Sequence, residues 1–160
     1  MTTLAWLALT TLGVLIQAVA WPLLWPGALR PEVVLVLAIL AGLRAGLPQA
    51  LLWGALGGFL LDLLSVREAG FHAATVLVAA ALGVLSAPAD WPTPLRLGTS
   101  VGVATLSALG AQALLLAEPP VTRLLAPAGY LLALNLATAI PLALLPLGLP
   151  STPRARRRPL

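Results

Sequence analysis

Long apolar runs, each broken by proline, glycine or one or two charged residues, make up almost all of the chain. Runs of about 18 or more apolar residues mark helices able to cross a bilayer. The pattern predicts an all-α polytopic membrane protein, a compact bundle of six transmembrane helices over residues 4–25, 31–43, 48–65, 70–87, 95–117 and 124–149. The first run carries Trp6 at one end and Trp21 and Trp25 at the other, where tryptophans favour the two membrane interfaces. Ala18-Val19-Ala20 has the look of a signal-peptidase site, but no basic residue precedes the run, so it is expected to stay as a helix.

The remaining boundaries follow from helix start and stop signals. Arg30-Pro31-Glu32 opens the second run, with proline at a first helical position and an acid at the positive end of the helix dipole. At ~1.5 Å per residue that run reaches only ~20 Å, against a hydrocarbon core of ~30 Å. It must be shielded by neighbours, thin the bilayer, or let Arg44 snorkel. Pro48 opens the third helix, and the proline-rich loop around Asp90 separates the fourth from the fifth. Pro127, Pro141 and Pro146 predict kinks in the sixth. Residues 150–160 form a polar tail.

Composition narrows the class further. In 160 residues, 60% are hydrophobic and 9% charged, with a mean hydropathy of +1.02. No soluble segment is long enough to fold alone. All nine basic residues are arginine, a bias suggesting a GC-rich genome, and cysteine is absent. No disulfide, thiolate nucleophile or Cys-ligated metal is therefore available, and the single histidine excludes a His cluster. Neither a metal nor a cofactor is expected. The basic pI of about 11.5 owes much to a tail cluster, Arg154, Arg156, Arg157 and Arg158. Beside a membrane helix such a cluster reads as a cytoplasmic anchor in contact with membrane lipids, not as a nucleic-acid site. With that tail inside, Arg44 and Arg96 also fall inside, and both termini are predicted cytoplasmic.

The candidate chemistry is sparse. Gly54, Gly58 and Asp62 recur every four residues and share one face of the third helix. Small residues at that spacing admit a second helix, from within the bundle or from another protein. Leu60, Leu61 and Leu64 are placed on the other side. Gly98 and Gly102 repeat the spacing on the fifth helix. Asp62 is costly in an apolar run and needs a partner. Arg67 and His72, across the elbow, are the nearest candidates for a structural clasp; partner or ligand binding and a proton relay are the other readings. Gln17, Gln112 and Asn135 lie within spans and are each expected to make an interhelical hydrogen bond. There is no Ser/His/Asp arrangement, paired carboxylate or phosphate loop, so no enzyme is expected.

Three stretches together resemble the rod-shape-determining MreD family: LRPEVVLVLAI (29–39), GALGGFLLDLLSVREAGFHA (54–73) and NLATAIPLALLPLGL (135–149). The second is similar to the family's Gly-Phe-x-x-Asp pattern followed by a helix-opening glycine, here Gly58, Phe59, Asp62 and Gly70. Glu32 stands where aspartate is the family's residue, and the elbow Val66-Arg67-Glu68-Ala69 departs from its pattern. The resemblance implies a multi-pass protein of the bacterial inner membrane, a scaffold of the rod (elongation) complex in cell-shape maintenance and lateral peptidoglycan synthesis. It implies MreC as the main partner, with MreB, RodZ and the RodA–PBP2 synthase in the same complex. It also implies a fold like the six-helix substrate-binding subunits of ECF vitamin transporters, and a subunit of that kind is the alternative function. The surface expected to matter is the third helix with its outer elbow, beside the Arg30–Glu32 corner.

Overall fold

The computed structural model describes residues 3–24, 30–65, 70–115 and 125–144. Six helical stretches make up the described chain: α1 (Thr3–Leu24), α2 (Val33–Ala45), α3 (Leu47–Leu64), α4 (Phe71–Leu85), α5 (Thr93–Leu115) and α6 (Leu125–Leu144). No strand occurs among the described residues. α1, α3 and α5 are long and apolar enough to cross a membrane, whereas α2, α4 and the Ala128–Leu144 stretch of α6 are shorter apolar segments. The expected end of the sixth span, with Pro146, and the tail with Arg154, Arg156, Arg157 and Arg158 lie outside the described residues. Pro141 falls inside α6.

Side-chain contacts fix the directions. Gln17 and Gly13 of α1 meet Val34 and Leu37 of α2, so these two helices run antiparallel. Gly57 and Gly54 of α3 meet Val34 and Ala38, again antiparallel to α2. α5 places Gln112 beside Glu32 and Arg96 beside Leu43, whereas α6 places Asn135 beside Glu32 and Ala143 beside Arg44. Directions therefore alternate, and Thr3 and Leu144 fall at one end of the bundle. Glu32 and Asp62 fall at the other.

α2 is the centre. Every residue from Val33 to Gly42 is buried, and the remaining helices surround it. Its shortness is thus met by shielding, the first of the three ways open to it. Such a helix is apolar all round because no face meets solvent or lipid. A single residue, Gly46, joins α2 to α3, and its φ of 91° is open to glycine at little cost. Its N–H closes α2 on Gly42 O at 2.8 Å, and Pro48 then starts α3.

Two features of α1 differ from expectation. Trp6 is not at an interface: it is 0% exposed and stacks on Trp53 of α3, with ring centroids 5.9 Å apart. The partner ring outweighs the interfacial preference. A π-helical turn, Ile16–Ala20, interrupts the helix at the level where Gln17 reaches α2. On the outside of the bundle, large apolar side chains stand exposed on every helix flanking α2, Leu4, Leu52, Leu85, Leu106 and Leu144 among them.

Candidate functional site

Asp62 lies two residues before the last residue of Leu47–Leu64, where the helix dipole disfavours a negative charge. The next helix answers that cost. Asp62 Oδ2 accepts from Gly70 N–H at 3.0 Å and Ala73 N–H at 3.1 Å, while Oδ1 accepts from His72 N–H at 2.8 Å. His72 Nδ1 lies 2.9 Å from the same Oδ1. The Asp62 side chain is only 3% exposed, and His72 covers it from the more open side. One carboxylate thus satisfies three of the N–H groups that open α4, a helix cap supplied from the preceding helix. Gly70 makes the turn possible: its φ is 92°, and nothing stands within 4 Å of where a Cβ would be, so the requirement is conformational alone.

Gly58 brings the two helices close enough for these bonds. A Cβ at Gly58 would lie 2.5 Å from Ala73 Cα, 2.9 Å from Ala73 N and 3.0 Å from His72 O, all backbone. A Cβ at Gly54 would meet Val76 Cγ1 at 3.4 Å and Ala38 Cβ at 3.6 Å, ordinary contact. The Gly54–Gly58–Asp62 face is therefore occupied by α4. Leu61 belongs to this buried side, contrary to its expected place, and Leu64 is exposed. Phe59 is 55% exposed and shares the outer face of α3 with Leu52 and Leu63.

A second polar cluster stands at the same end, around the start of α2. Glu32 was expected to favour the positive helix end with its own carboxylate, but its side chain makes no cap. The caps come from other helices. Asn135 Oδ1 of α6 accepts from Glu32 N–H at 2.7 Å, and Gln17 Oε1 of α1 accepts from Val34 N–H at 3.0 Å. Asn135 Nδ2 donates to Thr105 Oγ1 at 3.0 Å, and Gln112 Nε2 donates to Glu32 Oε1 at 3.3 Å. In surroundings without water an open helix N-terminus costs several kcal/mol per orphaned group, so these amides are required wherever α2 begins inside the bundle. Pro31 is buried and Arg30 half-buried beside them.

Of the residues singled out from sequence, Gly54, Gly58, Asp62, Gly70 and His72 come together in one corner. Arg30, Pro31 and Glu32 form the other. Arg67 lies outside the described residues. The convergence of Gln17, Gln112 and Asn135 on one helix start was not anticipated. Its signal is three isolated amides in apolar runs together with a helix too short to reach either interface. Gly98, by contrast, has nothing within 4 Å of a built Cβ, and Gly102 meets only Leu132 Cδ1 at 3.9 Å. The glycine spacing on α5 closes no tight helix pair.

Comparison with family models, curated proteins and solved structures returned no match. The likeness to the MreD family rests on the three sequence stretches.

Proposed function

We propose that this protein is a non-catalytic membrane scaffold of the bacterial rod complex, that all six helices cross the cytoplasmic membrane with both termini inside, and that it binds MreC at its outer half. The observation that carries the reading is how the polar groups are used. At the end opposite Thr3 and Leu144, Asp62, Gln17, Gln112 and Asn135 bond to neighbouring helices, and three of the four bond the backbone that opens α2 or α4. A vitamin-binding subunit needs such groups turned toward a ligand. Here they brace the bundle, which suits a rigid surface held against another protein.

The bracing also redirects the expected contact. α4 already fills the Gly54–Gly58–Asp62 face, so a partner's membrane span would meet the outward stripe Leu52, Phe59 and Leu63, with the Asp62 corner holding that stripe in place. Tagged protein from native membranes, analysed by mass spectrometry, should recover MreC. Phe59→Ala with Leu63→Ala should reduce recovery at least fivefold without loss of folded protein. Recovery of an ECF energising module, or tight vitamin binding by calorimetry, would replace the scaffold with the transporter subunit.

A further inference from the structure

Two carboxyl groups stand at the end of the bundle where α2 and α4 start, and their surroundings are opposite in kind. Asp62 takes three backbone N–H groups and the His72 ring. Both of its oxygens serve as acceptors, which is the state of an ionised carboxylate. Glu32 takes one side-chain donor, Gln112 Nε2, at 3.3 Å on Oε1. Its Oε2 is shielded from solvent and has no hydrogen-bond partner. The residue as a whole is half-buried, which leaves a short path from the surface for a proton.

The other polar side chains around Glu32 are committed elsewhere. Asn135 Oδ1 accepts from the Glu32 N–H, Asn135 Nδ2 donates to Thr105, and Gln17 Oε1 accepts from the Val34 N–H. Of the helices packed on the start of α2, α1 thus presents Gln17, α5 presents Thr105 and Gln112, and α6 presents Asn135, all uncharged. Arg30 is the charged neighbour on the same segment. Across this end of the bundle, Asp62 and His72 face each other. Among the described residues no ion pair includes Glu32. An ionised oxygen with neither donors nor water is among the costliest groups to bury, whereas a neutral carboxyl forgoes only the hydrogen bond of a hydroxyl. Two carboxyls in such unlike surroundings divide into an ion and an acid.

We propose that Glu32 binds a proton on Oε2 at neutral pH and that this proton latches the bundle. While it is held, α5 and α6 close on the start of α2 through Gln112 and Asn135. When it leaves, water must enter to solvate the ion, and those two helices part from α2 at this end. The stability that the latch adds is therefore present at low and neutral pH and lost as pH rises. The latch concerns the bundle alone, so it does not depend on the scaffold reading.

The test uses the full chain in detergent. Infrared spectra taken through a pH titration should show a protonated-carboxyl band at pH 7 that fades at higher pH and is missing from Glu32→Gln. In thermal unfolding, the unaltered protein should lose about 5 °C or more between pH 6 and pH 9 relative to Glu32→Gln, which keeps a neutral group there throughout. Any contribution of His72 is common to both proteins and cancels in that difference. If Glu32→Gln does not fold, Gln112→Leu decides the matter. It removes the donor to Oε1, so the band should persist to higher pH than in the unaltered protein. The proposal is overturned if no protonated-carboxyl band exists at pH 7, or if the band survives Glu32→Gln. It is equally overturned if the two melting curves run parallel in pH, or if Gln112→Leu leaves the titration of the band unchanged.

Discussion

Gly54/Gly58 on α3 and Gly98/Gly102 on α5 carry the same spacing and meet different fates. Gly58 touches the backbone of α4, whereas Gly98 faces open space. What separates them is the neighbour. α4 begins with Gly70 and presents Ala73 at the contact, and Asp62 one turn further on binds the N–H groups that this approach exposes. α5 makes its own close crossing elsewhere, against Gly83 of α4, where a Cβ would lie 2.6 Å from Ser100 O and 2.9 Å from Ala104 Cβ. The glycine repeat that closes a helix contact here is the one that faces a small residue, with a carboxylate fastening the pair.

Four substitutions can break or sharpen this contrast, each read by thermal unfolding of the purified protein in detergent with size exclusion as the check on folding. Gly58→Leu should be the most damaging. Its side chain can be seated only by moving the α4 backbone, which also pulls three N–H groups from Asp62, and a loss of about 3 kcal/mol or more is expected. A Gly58→Leu protein as stable as the parent would mean that the α3–α4 approach is wrong. Asp62→Ala comes next, because it leaves the α4 start without acceptors; about 2–3 kcal/mol should be lost. Asn135→Leu removes one cap from α2 while filling similar space, and the expected loss is about 1–2 kcal/mol, within the upper range for interhelical hydrogen bonds. Gly98→Ala should be neutral or raise stability by up to about 1 kcal/mol, through helix propensity alone. A destabilised Gly98→Ala would erase the contrast with α3.

Much of the helical layout is legible in the sequence because Pro31, Pro48 and Gly70 are chemical signals that act on their own neighbours. The nearness of His72 to Asp62 is legible for the same reason, since one short elbow separates them. What bonds Asp62 most, the backbone of α4, has no side-chain signature and could not be read. Trp6 shows a second limit: its interfacial position was inferred from a preference, and Trp53 on another helix overrode it. The two glycine pairs show a third, because spacing along one helix carries no information about the surface opposite. Asn135 and Glu32 are joined across 103 residues, and no local pattern in the chain reports that contact.

The buried start of α2 has a consequence for the order in which the protein is made. Val33–Ala45 leaves the ribosome well before α6, yet the acceptor for the N–H of its N-cap, Glu32, is Asn135, 103 residues further along the chain. Until Asn135 is in place, α2 lacks one of its two caps and part of its lining, and at 13 residues it is too short to rest in lipid as a stable span. Its final seat is therefore assembled only once α6 has been made, around a helix that has waited for its neighbours. A chain ending before Asn135 should insert α1 and α3 and still leave α2 open to protease, or to labelling of a cysteine introduced at its N-terminal turn.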